Sequence, residues 1–342
     1  MQRLGSFELI APRSVPEAVA ALVAGGDGAR VLAGGTDLLV DMKRGRLQPS
    51  VLVNLKRLPG LDHIALVGGA LEVGALVSAA GLAAAPVVWQ AAAALAEAAG
   101  TLGSPPVRRL ATIGGNVGRA SPASDLLPAL LVHEARALIA GAAGIREAPV
   151  GDLLAGPGTT TLGRDEMITG LVVPPGPEGS GAAYRKLGRR SGGWDLALVG
   201  VAARLTLDAS GRVAGARLAL ASVGPTVLRC EEAEACLVGR APDDDGLAQA
   251  AAAGEGKRGR NLARAMYYAT QLKNDKLAVY EDYGYPVHRI RERCAGRTVE
   301  RWTYYDLGLE VTFDETSTLV ERRTFLPEPK RERIERFPEY RY

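Results

Sequence analysis

Two glycine loops carry the residues best suited to chemistry in this 342-residue chain. The first is Ala33-Gly34-Gly35-Thr36-Asp37, which closes a short apolar, strand-like run over 29–33. The second is Thr112-Ile113-Gly114-Gly115-Asn116, which leads into Ala120-Ser121-Pro122-Ala123-Ser124-Asp125. Paired glycines bare backbone N–H groups and let a diphosphate come within hydrogen-bond distance of the main chain. Thr36, Thr112, Asn116 and Ser124 add side-chain donors, and Asp125 can accept from ribose hydroxyls or a base amine. Neither loop is GxGxxG, nor GxxxxGK followed by Ser or Thr, so the Rossmann and P-loop readings fail. One Gly pair after a strand is most often a plain turn. Two of them, about 78 residues apart and each with hydroxyl and amide donors, point to a ligand with a long polar edge.

The elements that must position these loops read as alternating helix and strand. Ser14 and Glu17 form a capping box, Pro16 sits in the first turn, and Gly25–Gly26 stop the helix. The runs at 29–33 (ARVLA) and 51–55 (VLVNL) then predict strands of a small parallel sheet with crossover helices. Further on, 71–76 reads as a strand, 87–99 as an Ala-rich buried helix, and 168–173 as a strand closed by two prolines. The stretch from Thr101 to Asp125 reads as a long functional loop, too low in charge to be disordered. Runs 196–208 and 212–223 flank Ala209-Ser210-Gly211 as a hairpin, and helices are expected over 227–238 and 243–253.

Composition narrows the function classes. The 41 Lys and Arg against 38 Asp and Glu leave a net charge of +3, too small to argue for nucleic acid or a membrane surface. Three scattered cysteines make no disulfide framework and no CxxC pair. His63, His133 and His288 lack metal-ligand spacing. The N-terminus has no continuous apolar core, and no stretch of about 18 apolar residues follows, so a cytoplasmic protein is expected. The style of the chain breaks near Gly254. Residues 1–254 carry 46 charged residues, and the last 88 carry 33, together with 9 of the 10 tyrosines. That tail reads as a separate module: a helix around 261–283, then strands at 299–305, 309–313 and 319–325 in a meander.

The segments LAGGTDLLVDMKRG and ATIGGNVGRASPASDLLPALL resemble the two FAD loops of the medium, flavin-binding subunit of molybdenum hydroxylases, of the carbon monoxide dehydrogenase and xanthine dehydrogenase type. Tyr184 to Arg190 (YRKLGRR) and Val223-Gly224-Pro225-Thr226 resemble that subunit's C-terminal domain. The resemblance covers about residues 1–253 and implies an α+β fold. A two-subdomain PCMH-type FAD-binding domain would occupy 1–177, with subdomains of about 1–57 and 58–177. A small α+β domain, truncated, would occupy 178–254, and an atypical tail 255–342.

The resemblance also implies a role. Electrons leave a substrate at a molybdopterin centre in a large subunit, cross 2Fe–2S clusters in a small subunit, reach FAD here, and pass to NAD, a quinone or oxygen. Carried onto this chain, Ala33, Gly34, Gly35, Thr36 and Asp37 with Thr112, Ile113, Gly114, Gly115 and Asn116 would cradle the diphosphate. Ser124 would add a donor and Asp125 would hold hydroxyls. Leu171 would border the adenine or flavin pocket, and Tyr184 and Lys186 would lie near the isoalloxazine. The family often has His or Gln-Ser where Thr36-Asp37 stands. Without that His, FAD is expected to be dissociable, and Asp37 sets a negative charge beside a diphosphate. Two other readings stand beside this one: a self-contained FAD oxidase, and a non-catalytic assembly or binding protein with a relict flavin fold and a working tail.

Overall fold

The computed structural model describes residues 4–188, 197–242, 288–294, 297–304, 309–313 and 319–324. They fall into two units, one reaching Leu187 and resuming at 197–242, the other formed by the strands from His288 onward. The first unit opens with strand β1 (Glu8–Ile10), helix α1 (Val15–Gly25), β2 (Ala29–Leu32), α2 (Leu38–Lys43) and β3 (Val51–Asn54). The Ser14 side chain accepts the Glu17 N–H at 3.3 Å, while the Glu17 carboxylate accepts the Arg13 N–H at 2.9 Å. Gly26, at φ 49°, ends the helix. The three strands pair in parallel in the order β1-β3-β2. Both faces of a parallel sheet must be covered. Ala18, Val19 and Leu22 of α1 cover one face with Val53, and Met42 of α2 clusters with Leu32 and Leu52. Strand β1 goes unanticipated in the sequence because three residues are too few to show a period.

The chain then builds an antiparallel sheet from β4 (Ile64–Val67), β5 (Ala70–Gly74), β6 (Arg136–Gly141), β7 (Gly144–Pro149) and β10 (Met167–Val173), in the order β4-β5-β10-β6-β7. Between β5 and β6 come α3 (Ala79–Ala84), α4 (Pro86–Ala91), α5 (Ala93–Thr101), α6 (Pro105–Leu110), α7 (Ile113–Arg119) and α8 (Leu126–Val132). The small ribbon β8 (Leu154–Gly156) and β9 (Thr159–Thr160) precedes β10. Leu82, Leu95, Ile113, Leu126, Leu130 and Ile139 belong to the core cluster these elements share.

Two expectations are corrected here. The helix predicted over 87–99 is broken at buried Ala92 (φ −151°, ψ 63°) into α4 and α5; an Ala inside an Ala-rich run gives no local sign of that break. The supposed loop from Thr101 to Asp125 contains α6 and α7. Propensity argues against a helix reading IGGNVGR. Tertiary contacts hold it instead: Thr112 caps it by accepting the Gly115 N–H at 3.1 Å, and the Ile113 and Gly114 N–H groups donate to Val77 and Ala75 carbonyls, each at 3.0 Å.

After a Pro-rich linker come β11 (Ser180–Gly188), β12 (Ala197–Leu207), β13 (Val213–Ala221), β14 (Leu228–Arg229) and α9 (Glu231–Leu237), with sheet order β11-β12-β13-β14. The expected hairpin is present, its turn tied by the Asp208 carboxylate, which accepts the N–H groups of Ser210 (2.8 Å) and Arg212 (3.0 Å). The helix expected from Val227 starts only at Glu231, because Leu228–Arg229 pair with β13. The second unit is an antiparallel meander of β15 (His288–Cys294), β16 (Arg297–Tyr304), β17 (Leu309–Phe313) and β18 (Leu319–Thr324). It has four strands where three are expected, since HRIRERC shows no apolar alternation. The helices expected at 243–253 and 261–283 lie outside the described residues. Among the described residues, no helix is long and apolar enough to cross a membrane.

Gly74, where β5 meets the Leu61–Asp62 backbone, has no room for a methyl group: a Cβ there would fall on the Leu61 carbonyl. Gly74→Ala should lower stability by about 1–3 kcal/mol. Gly100→Ala, on α5 with nothing within 4 Å of its Cβ, should be neutral or gain up to about 1 kcal/mol. Urea unfolding of the two variants checks the contrast.

Candidate functional site

The two glycine loops meet. A Cβ on Gly34 would fall on the Leu110 carbonyl oxygen, so the first loop lies backbone-to-backbone against the segment entering the second. A Cβ on Gly114 would stand 2.6 Å from the Ala75 methyl, which seats the start of α7 on the end of β5. The loops line one cavity of about 630 Å³, to which Ala33, Gly34, Gly35, Thr36 and Asp37 contribute from one side and Thr112, Gly114, Gly115 and Asn116 from the other. That volume suits a small-molecule site.

The glycines divide the labour unevenly. In the second loop the first N–H groups of α7 are used to hold the helix, as described above. In the first loop the N–H groups of Gly34, Gly35, Thr36 and Asp37 donate to no group among the described residues. Gly35 stands at φ +75°, where an L side chain is strained. Facing this run of donors, Gly115 and Gly118 are spaced three apart on α7, so they share one helix face. Both are exposed and line the cavity, and nothing lies within 4 Å of where a Gly118 Cβ would be. A row of backbone donors opposite a bare helix face fits the diphosphate of a dinucleotide.

The same cavity holds charges that sequence reasoning does not pick out. Arg119, at the end of α7, reaches buried Asp41 at 3.2 Å and Asp37 at 3.9 Å, and Arg46 reaches Asp41 at 3.4 Å. Burial raises the Asp37 carboxyl above its ordinary pKa; Arg119 opposes this and Asp41 reinforces it. Arg164 pairs with Asp27 on the same lining. The available signal is the spacing Gly115, Gly118, Arg119, in which the bare face and its charge follow one another.

The remaining sequence-selected residues lie off that lining. Ile113 and Leu171 are fully buried in the core. The Ser124 hydroxyl donates to the Asn116 side-chain oxygen at 2.5 Å and accepts the Leu127 N–H at 3.2 Å, tying the start of α8 to α7. Next to it, Asp125 gathers a buried cluster. The Tyr184 hydroxyl donates to Oδ1 at 2.7 Å, and Lys186 Nζ donates to Oδ2 at 3.0 Å and to the Thr101 carbonyl at 3.1 Å. Glu97 accepts the Tyr184 N–H at 2.6 Å. Burial raises the Asp125 carboxyl despite the lowering by Lys186 and Tyr184. Burial and then Asp125 push the Tyr184 phenol well above its usual range.

Known proteins resemble this chain in sequence and fold. The family described as FAD binding domain in molybdopterin dehydrogenase matches residues 5–176, and the CO dehydrogenase flavoprotein C-terminal domain matches 182–257. The chain is 34% identical over 246 residues to the 6-hydroxypseudooxynicotine dehydrogenase complex subunit alpha of Paenarthrobacter nicotinovorans, covering 72% of this chain and 82% of that one. It is 36% identical over 235 residues to the carbon monoxide dehydrogenase medium chain of Hydrogenophaga pseudoflava, covering 69% and 81%. A chain of the solved Hydrogenophaga pseudoflava carbon monoxide dehydrogenase superposes with a TM-score of 0.73 at 34% identity, over 79% of this chain and 96% of that one. A chain of quinoline 2-oxidoreductase from Pseudomonas putida 86 gives 0.73 at 27% identity, over the same shares.

Fold and matches together define an FAD-binding subunit of a dehydrogenase complex. The chain belongs to the FAD-binding medium-subunit family of molybdenum hydroxylases, the group of carbon monoxide and xanthine dehydrogenases.

The Asp125 cluster makes its own prediction. Lys186→Met leaves a buried carboxylate without its cation and should cost about 3–5 kcal/mol near neutral pH. Asp125→Asn in the same chain should restore part of that. Lys186 lowers the Asp125 pKa, so its loss raises further a value already above that of the unfolded chain. Folding of the single variant then takes up a proton, and its deficit should be full above the raised folded-state pKa and shrink as pH falls through it toward the unfolded carboxylate value. Urea unfolding at several pH values checks both the size and the slope.

Proposed function

We propose that this chain is the electron-transferring flavoprotein subunit of a molybdopterin and iron–sulfur hydroxylase complex. It would receive electrons from 2Fe–2S clusters of a small partner subunit, after substrate oxidation in a large molybdopterin subunit, and deliver them to NAD, a quinone or oxygen. FAD, when bound, supplies two-electron and one-electron redox chemistry in one group. The observation that carries the reading is the run of unpartnered N–H groups from Gly34 to Asp37 facing the bare Gly115 and Gly118 face of α7. On this reading residues 1–177 form the FAD-binding domain, 178–254 a truncated C-terminal domain and 255–342 a separate tail.

The residues divide into two tasks. The first loop donates to the diphosphate, and Thr36 and the Asn116 amide add side-chain donors. Asp125, buried off that lining with its oxygens bonded to Tyr184 and Lys186, anchors the start of α8 beside the wall that α7 forms. None of the described residues lining the cavity is His, Cys or Tyr, which supports a dissociable rather than a tethered cofactor. Asp37 opposes phosphate by its charge, and Arg119 offsets that opposition.

The visible spectrum of the purified chain tests the reading. Flavin bands that pass into the supernatant on acid treatment are expected; a colourless chain that stays so with added FAD would overturn it. Gly118→Leu fills the bare face while adding a better helix former, so FAD affinity should drop at least about tenfold with stability kept. Asp37→Asn should tighten binding several-fold. Because protonation of Asp37 removes the same charge, wild-type affinity should rise as pH falls through its raised pKa, and Asp37→Asn should flatten that slope. Quenching of FAD fluorescence reads all three.

A further inference from the structure

Two sets of ion pairs cross the glycine-loop cavity, and they differ in how firmly they hold. Asp27, Asp37 and Asp41 line it from the layer of the parallel sheet, and Arg119 and Arg164 from the layer of the antiparallel sheet and its helices. Arg119 holds Asp41 and Asp37, as described above, and Arg164 pairs with Asp27. The other charged groups of the lining are engaged on their own side. Arg30 donates to the carbonyls of Asp27 (2.9 Å) and Ala29 (2.7 Å), and Glu166 accepts from Arg146 through both oxygens, at 2.6 and 2.7 Å.

Burial separates the two sets. Asp41 has 8% of its side chain exposed, so Arg119 keeps that partner even where Asp37 lets go. Asp27 and Arg164 are 70% and 77% exposed, and a pair so open to water contributes little and parts readily. The backbone beneath Arg164 does not share that freedom. In the turn joining β9 to β10, the Gly163 N–H donates to Glu166 Oε2 at 2.7 Å and the Glu166 N–H to the Gly163 carbonyl at 3.1 Å, while Asp165 Oδ2 accepts the Ala142 N–H at 2.9 Å. A pinned turn thus presents one long side chain to the facing layer. The cavity has an apolar floor beside this pair. Leu22 stands five residues before Asp27 and Met167 three after Arg164, and both line the cavity with Leu55 at 2% exposure each.

We propose that the Arg164–Asp27 pair is the gate by which the cofactor enters and leaves this cavity, while Arg119 stays bound to the facing layer. The inference rests on the flavin reading for the identity of what passes. Opening swings the Arg164 side chain away from Asp27 and leaves the turn and both layers in place, as a cleft held by the Gly34 contact requires. A gate stands in the path in both directions. It slows association and release by the same factor and leaves affinity nearly unchanged, whereas an arginine that held phosphate directly would slow release alone.

Stopped-flow quenching of FAD fluorescence by the full chain measures both rates. Arg164→Gln and Asp27→Asn should each raise association and release together by about two- to fivefold, the range an exposed ion pair supplies. The double variant Asp27→Arg with Arg164→Asp should return both rates toward wild type. Release that quickens alone, with affinity falling in step, would overturn the gate. So would rates that do not move, or a charge swap as fast as the single variants. FAD uptake by the wild-type chain tests the flavin reading separately. Where it takes up none, the gate is read without cofactor, from the methyl signals of the four methionines. A neutral nitroxide in solution should broaden the Met167 signal more in Arg164→Gln than in wild type, and less again in the charge swap. Met42, which does not line the cavity, should stay unchanged. Equal broadening of Met167 in all three chains overturns the proposal.

Discussion

The site depends first on one backbone contact, that of Gly34 against Leu110 and Ala111. No residue with a Cβ can stand there without displacing a carbonyl. The contact joins the parallel sheet of β1 to β3 with the helices packed on the antiparallel sheet, and so brings two loops about 78 residues apart to the same cavity. Gly114 repeats the device one step further on, setting α7 against Ala75. Small residues at both points turn a pair of separately folded layers into a cleft of fixed width. Fixed width is what a cradle for an extended, doubly charged group requires.

Given that contact, the electrostatics divide into an adjustable part and a fixed one. Around the cavity, Arg119 is shared between Asp41 and Asp37; the Asp37 carboxyl is partly desolvated by the cavity wall, but more than half of its side chain stays open to solvent. Exposed partners at 3.9 Å exchange readily, so Arg119 can turn from Asp37 toward an arriving phosphate at small cost. The Asp125, Tyr184 and Lys186 cluster is the opposite case. It is buried, closely hydrogen-bonded, and built from α8 on one side and β11 on the other. Desolvated pairs of this kind add little net stability, but they hold geometry strictly, since breaking one leaves a charge with nowhere to go. The Asn116 to Ser124 hydrogen bond links the two parts, so that the anchored cluster sets the pitch of the helix that forms the cavity wall.

The sequence is legible where local chemistry and tertiary context agree. Ser14, Glu17 and Gly26 mark α1 because capping groups satisfy the helix ends whatever the helix packs against. The hairpin at Asp208 to Arg212 is legible for the same reason. Where tertiary contacts decide, local reading fails. The segment IGGNVGR is a poor helix on propensity, and α7 exists because Val77, Ala75 and Thr112 take up its first N–H groups. Ala92 interrupts a run of good helix formers, and strand β15 is too charged to show a two-residue period. At the site, the loops announce themselves by glycine and hydroxyl content. Which glycines pack and which stay bare is a property of the assembled fold: Gly34 and Gly114 touch neighbouring chain, whereas Gly118 faces open space. Ile113 carries no less motif signal than Asn116, yet the helix turns it into the core.

The composition of the chain changes near Gly254. The family matches end at residue 257, and the described strands from His288 form a sheet with its own pairing, β15 through β18 in sequence order. Its third strand buries Leu309, Val311 and Phe313, whose alternation puts all three on one face, so the sheet has an apolar side of its own. Neighbour-to-neighbour antiparallel pairing needs only short connections. Every residue of the two loops, of α7 and of the Asp125 cluster lies in the other unit, which has a core of its own.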